Sequence, residues 1–379
     1  MKQIFFVRNA RVWEEISKGV DKNSVAAVYN LDYFEKIPGD KLPDEISLDG
    51  LERFKSDDSG ENIFHAVIAV ETGAPKGDTQ FGQSYFRRLS LAVARTLKRN
   101  GINFSFPAPF GVYAHLHGVF PNLQSDLRNR LTLALIQEVF QTFPQEFTGK
   151  KIDMWFSFWD EPDRALDLAE ALDLPHVFTY CTSFALKDRV IAFPDYESRF
   201  RENLFPNDAN SNARCREAAA KHWQDSHAFW RGSRVTSFSR TCLFELGKKF
   251  PQYLKIEDSS RGGRFIPMTE QAKYKYLIDT RGNSWSSRLQ TLLKLGRVIF
   301  IADRPCREWY FDRLRPWEHY VPIKEDMSDL IEKICHMERC PELYEKIVGN
   351  MREFVEENLM PRRIVFDAKE MILRYAVVE

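Results

Sequence analysis

The sequence predicts an α/β protein with parallel, doubly wound sheets. Three observations carry that expectation. Short apolar strands alternate with helices from residue 125 onward. The stretch 273–303 (KYKYLIDTRGNSWSSRLQTLLKLGRVIFIAD) reads as strand, polar loop, helix and strand, with loops short enough to demand a parallel crossover. Polar loops rich in Arg and Ser fall at the ends of two strands, where α/β proteins bind ligands.

Taken in order, residues 1–100 are the hardest to read. A buried strand is expected over 62–72 (NIFHAVIAVET), and an amphipathic basic helix over 83–99 ended by Asn100 and Gly101. The proline- and glycine-bearing stretch 103–117 reads as loop-rich, with His115 and His117 on one face. Ser125 or Asp126 starts a helix to about Thr142, and 151–159 (KIDMWFSFW) is a buried strand. That strand runs into Asp160-Glu161-Pro162-Asp163, with Asp163 as the cap of the next helix. Asp160 stands out as a carboxylate at the carboxyl end of a strand; a second helix-capping acid is the plainer reading. Short strands follow at 176–182 and 190–196, and 206–211 (PNDANS) has linker composition. A helix over 214–224 precedes the strand 228–231 (AFWR), the loop GSRVTSFS and a helix from Arg240.

In the unit 273–303, Tyr274–Asp279 alternates as a strand, and Gly282 and Asn283 break the loop. Ser286 or Ser287 is a natural N-cap, Gly296 closes the helix, and 298–302 is the second buried strand. Free N–H groups at the helix start, with Arg281 and Arg288 beside them, would favour an anion. A capped helix carrying two solvated arginines fits the loop alone equally well. The second Arg/Ser loop, with Arg231, Arg234 and Arg240, tilts the balance toward a shared anion pocket. After it come a strand at 319–323, a helix from Asp326 or Ser328, and a helical tail from Pro341.

The chain has 379 residues, 44% hydrophobic and 28% charged, which is globular and long enough for about two domains. Lys plus Arg and Asp plus Glu are 54 each, which argues against a general nucleic-acid binder. No apolar run is long enough to span a bilayer, and the apolar N-terminal run is too short for a signal peptide, so a cytoplasmic protein is expected. The six cysteines are scattered and expected to be reduced. Cys335, His336 and Cys340 lack zinc-ligand spacing, and no metal site is expected.

The segments YKYLIDTRGNSWSSRLQTLLKLGRVIF, WYFDRLRPWEHYVPI and DMSDLIEKI, with FWRGSRVTSFSR and WDEP in support, resemble glycosyltransferase family 90, the CAP10-like and Rumi-type enzymes. The resemblance covers roughly 150–340. It implies a GT-B-like fold of two Rossmann-like lobes, and inverting transfer from a UDP-sugar, glucose or xylose first, without a metal or other cofactor. It further implies Asp160 as the catalytic acid position and Ser233, Arg234 and Arg240 as donor contacts. Arg281, Asn283, Ser284, Trp285, Ser286, Ser287 and Arg288 fall on the loop that holds the nucleotide, and Ala192, Phe193, Pro194, Asp195 and Tyr196 on a third donor segment. RGSRVTS carries one residue more than the RGSRTS of the animal enzymes, WDEP stands for their RDYP, and FPDYES replaces their tryptophan-rich segment.

The resulting expectation is a lobe over 1–205 bearing the catalytic Asp, a donor lobe over 206–340, and a tail over 341–379 packing back on the first lobe. The acceptor expected is a glycan, lipid-linked or lipopolysaccharide-type molecule, with peripheral contact at the inner membrane face through 83–99. Protein O-glycosyl transfer and a non-catalytic nucleotide- or glycan-binding protein are the alternatives. A phosphotransferase would show GxxxxGK[ST], which the chain lacks.

Overall fold

The computed structural model describes residues 2–7, 22–30, 64–69, 105–107, 113–120, 124–148, 150–157, 160–194, 211–259 and 266–378, with single positions at 14, 47, 92, 93, 95, 96 and 99. The chain divides into two compact units, Met1–Tyr196 with Val365–Glu379, and Glu197–Ile364.

The first unit is built on a sheet of strands β1 (Lys2–Val7), β2 (Val25–Asn30), β3 (Phe64–Ala69), β4 (Ser105–Pro107), β5 (Tyr113–Phe120), β6 (Lys151–Ser157), β7 (Val177–Thr179) and β9 (Val190–Ala192); the two-residue strand β8 (Thr182–Ser183), between the last two in sequence, lies outside this sheet. The order β2-β1-β3-β5-β6-β7-β9 is parallel throughout. Met154, Trp155, Phe156 and Ser157 of β6 are buried in succession, as a strand covered on both faces requires. The stretch expected to be loop-rich holds β4 and β5. The alternation of YAHLHGVF is hidden in the sequence by two histidines and a glycine.

The second unit contains β10 (Asp225–Gly232), β11 (Leu254–Asp258), β12 (Tyr274–Asp279), β13 (Val298–Ala302), the two-residue β14 (Cys306–Arg307) and β15 (Val321–Ile323). Its sheet runs β11-β10-β12-β13-β15, all parallel, so the expected crossover unit over 273–303 is present. Two parallel α/β lobes are therefore present, as the sequence predicts. In the second, chain order in the sheet is 2-1-3-4-5, and the direction of winding reverses between β10 and β12. Ligands of doubly wound sheets bind outside the carboxyl ends of the strands at such a point. A last strand, β16 (Val377–Val378), returns antiparallel to β6 in the first unit.

The tail behaves differently from the expectation. The helix Pro341–Asn358 belongs to the second unit, because Tyr344, Ile347 and Val348 lie in that unit's core. Only residues from Val365 count with the first. No described helix is long and apolar enough to cross a membrane.

Gly296, read as the end of a helix, has φ 61, and a Cβ there would sit 3.0 Å from Ala219 Cβ. Gly349 lies inside Pro341–Asn358 with nothing within 4 Å of an added Cβ. Urea denaturation should therefore show opposite signs: Gly296→Ala destabilising by about 1–2 kcal/mol, Gly349→Ala stabilising by about 0.5–1 kcal/mol.

Candidate functional site

The two Arg/Ser loops leave β10 and β12 side by side at the reversal point of the second unit. Trp230, near the end of β10, is 1% exposed. The Arg240 guanidinium lies 5.3 Å and that of Arg288 5.1 Å from its ring centroid. One indole thus gathers two cations from two loops, a contact worth about 0.5–2 kcal/mol each. Arg288 also donates to the carbonyl of Arg231, and Arg240 donates to the carbonyls of Ser233 and Arg281, at 3.1 and 2.9 Å. Burial, and after it the charge of Arg288, pull Arg240 down to about 10, against the opposing influence of Asp279. Two like charges held together in a partly buried place are relieved by an anion between them.

Glycine makes this approach available. A Cβ on Gly232 would lie 2.7 Å from the Trp230 ring and 2.8 Å from Arg288 Nη2. Since Trp230 is fixed in the core, the guanidinium is the group that would have to move.

The two loops are stitched to each other. Ser237 Oγ donates to the Arg281 carbonyl at 3.1 Å, and the hydroxyls of Ser239 and Thr280 meet at 2.5 Å. Within the second loop the Gly282 N–H donates to the Trp285 carbonyl at 2.8 Å. Ser284, Trp285 and Ser286 are buried, while Asn283 is exposed. The Ser286 hydroxyl donates to Asp279 Oδ1 at 2.6 Å. Asp279 is bound in turn by Arg304, which burial alone would lower but which Asp279 and Glu308 hold above the ordinary arginine range.

Several expectations change. The helix after the loop is only five residues, Leu289–Leu293. Its N-cap is Arg288 without a side-chain bond, because the Ser286 hydroxyl is committed to Asp279. The dipole of so short a helix is a poor source of anion attraction. Arg281 does not flank an open site, since it pairs with Glu325 at 2.9 Å and donates to the Asn283 carbonyl. Arg234 pairs with Glu245 at 2.9 Å and Arg231 with Glu257 at 2.8 Å. Ser233 and Ser287 are half-buried beside these groups.

The remaining expected residues lie in the first unit. Asp160 is half-buried just beyond β6, and its carbonyl accepts from Cys181 Sγ at 3.5 Å. Glu161, not Asp163, is the N-cap of the helix Pro162–Ala171, because Pro162 takes the first helical position. Ala192 ends β9, Pro194 is buried, and Phe193 is 0% exposed, its ring edge-on to Phe156 and Phe178. That ring belongs to the core rather than to a ligand surface. Asp195 and Tyr196 lie outside the described residues. In the basic stretch 83–99, positions 92, 93, 95, 96 and 99 are helical. Ala92, Val93 and Thr96 are buried and Arg95 donates to the Ala171 carbonyl, while Arg99 is exposed.

Sequence reasoning passed over Trp230, Ser237, Ser239, Thr280, Asp279, Arg304 and Glu308. Trp230 and Asp279 look like core positions of their strands. The available signal was position: both stand at or next to the carboxyl end of a strand flanking the reversal.

This arrangement sets paired guanidiniums over a parallel sheet at its reversal point. The glycosyl transferase family 90 model matches residues 119–378, more than half of the chain, and the chain belongs to that family. Among curated relatives, protein O-glucosyltransferase 1 of Rattus norvegicus is 27% identical over 192 residues, covering 47% of this chain and 46% of that protein. O-glucosyltransferase rumi of Drosophila melanogaster is 27% identical over 177 residues, covering 42% and 43%. The chain spans about half the length of the curated relatives it matches. Among solved structures, sucrose-phosphate synthase of Thermosynechococcus elongatus is similar at 10% identity with TM-score 0.41, covering 98% of each chain.

Gly232→Ala should leave the circular dichroism spectrum intact and weaken inorganic pyrophosphate binding by about tenfold, through loss of one charge-assisted contact. Unchanged affinity in a calorimetric titration would place Arg288 outside the anion site.

Proposed function

We propose that this chain is an inverting glycosyltransferase that takes a sugar, glucose or xylose first, from a UDP donor to a hydroxyl acceptor without a metal. The carrying observation is the pair Arg240 and Arg288 on Trp230 at the reversal of the second sheet. Departure of UDP leaves negative charge on the diphosphate, and preorganised guanidiniums stabilise it at the moment it forms. Metal-dependent enzymes meet the same need with a cation held by carboxylates. Here the carboxylates beneath the loop, Asp279 and Glu308, face Arg304, and Glu325 beside it faces Arg281, which supports the arginine route.

Asp160 is the proposed base. Inversion needs one carboxylate to accept the acceptor's proton as its oxygen attacks the anomeric carbon. Asp160 is supported by its place beyond a parallel strand and by its match to the family's acidic position.

For the acceptor, a glycan or lipopolysaccharide-type hydroxyl is one reading. A protein hydroxyl is the second, favoured by the names of the matching relatives, which are protein O-glucosyltransferases. Incubation with radiolabelled UDP-glucose and UDP-xylose against both acceptor classes separates them.

UDP should raise the Tm in the presence of EDTA; a shift that needs added manganese would count against the metal-free site. Arg288→Ala should weaken UDP binding by tenfold or more in calorimetry. Asp160→Asn should keep UDP affinity within about twofold and lower transfer by about 10²–10⁴-fold; retained turnover would remove Asp160 from the base role.

A further inference from the structure

Glu308 is a charged group that the proposed transfer does not use. It stands beyond β13, its side chain 1% exposed, behind the loop that carries Arg288. Its Oε1 receives the Ser286 N–H at 3.4 Å and lies 3.8 Å from Arg304 Nη1. Its Oε2 is buried with no hydrogen-bond partner. Arg304 binds Asp279 instead, and Asp279 also holds the Ser286 hydroxyl at 2.6 Å. Two carboxyl groups therefore share one guanidinium, and both grip the same residue, one by its hydroxyl and one by its amide.

The charge count of this cluster is decided by one proton. With both acids ionised it carries one net negative charge; with one protonated it is neutral. A 3.4 Å amide contact is long for a charge-assisted bond, which usually spans about 2.7–2.9 Å. Oε2 has no hydrogen-bond donor among the described residues. The ionised form of Glu308 is thus poorly supported where it stands. Burial, foremost, and the nearby Asp279 push its carboxyl up to about 7, against the pull of Arg304, its own backbone N–H and that of Ser286.

Resting on the nucleotide-donor reading of Arg240 and Arg288, we propose that Glu308 is a positioning residue that takes up a proton when the donor's diphosphate binds. The groups facing it are Asp279 from β12, Ser286 from the following loop and Arg304 from the segment after β13, with Tyr310 bearing on Arg304. An added anion on the loop opposes a second net negative charge beneath it, so it favours the neutral cluster. By linkage the neutral cluster favours the anion equally. The sign follows: a carboxyl whose proton is held more tightly in the complex makes affinity high below its free-protein range and lower above it. Arg240, near 10, titrates well outside that window.

The test uses the full chain and UDP-glucose, a diphosphate diester whose phosphates do not ionise between pH 6 and 8.5. Calorimetric affinity should fall about tenfold from pH 6 to 8.5, the equivalent of one unit of coupling. Binding heats near pH 7.5, compared in two buffers of different ionisation enthalpy, should report uptake of a fraction of a proton. Glu308→Gln, a neutral isostere, should match the parent protein at pH 6 and exceed it at pH 8.5. Equal weakening of Glu308→Gln at every pH would mean a merely structural role and overturn the proposal. If that variant does not fold, zero proton uptake by the parent protein overturns it on its own. UDP-glucose that fails to bind at every pH overturns the donor reading as well, whereas pH-independent binding sinks the proton coupling alone.

Discussion

Two guanidiniums resting on one indole are the contact on which the second unit's site depends. Like charges separate unless something holds them, and Trp230 holds Arg240 and Arg288 from two different loops. The arrangement needs β10 and β12 to be neighbours, which the 2-1-3-4-5 strand order provides. It needs no side chain at position 232, where a Cβ would strike both the indole and Arg288. It also needs the loops locked to each other, which Ser237 and Arg240 achieve by sharing the Arg281 carbonyl. Sheet order, one glycine and one carbonyl thus converge on the same pair of cations.

Charge is sorted by depth around this pair. Arg231, Arg234 and Arg281 are neutralised by Glu257, Glu245 and Glu325. Beneath the loop, Arg304 is outnumbered by Asp279 and Glu308. Arg240 and Arg288 instead donate to backbone carbonyls and lie against a π face. That distinction, rather than the number of arginines, marks where an anion would be drawn.

The parts of the fold that were legible in the sequence are those buried on both faces. Tyr274–Asp279 and Val298–Ala302 begin and end where the alternation and the apolar run predict, because all their residues but Lys275 are buried. The edge strand Leu254–Asp258 (LKIED) was not legible, since three of its five residues are polar and only Leu254 is buried. The loops were found through their glycines and arginines, but not the partners of those arginines. Ion pairs such as Arg281 with Glu325 join residues far apart in sequence, and no local pattern reports them. The short helix after Arg288 was overrated for a similar reason: the serine expected to cap it is drawn off by Asp279. Asp160 was legible as an acid at a strand end, and the family match extends over it.

The central claim is that Arg240 and Arg288 together hold a diphosphate. A crystal structure of the chain soaked with UDP in EDTA tests it most directly. The account expects both guanidiniums within about 2.7–3.1 Å of diphosphate oxygens, with Trp230 still beneath them. UDP bound elsewhere, or with its diphosphate on a metal ion and both arginines at a distance, would contradict it.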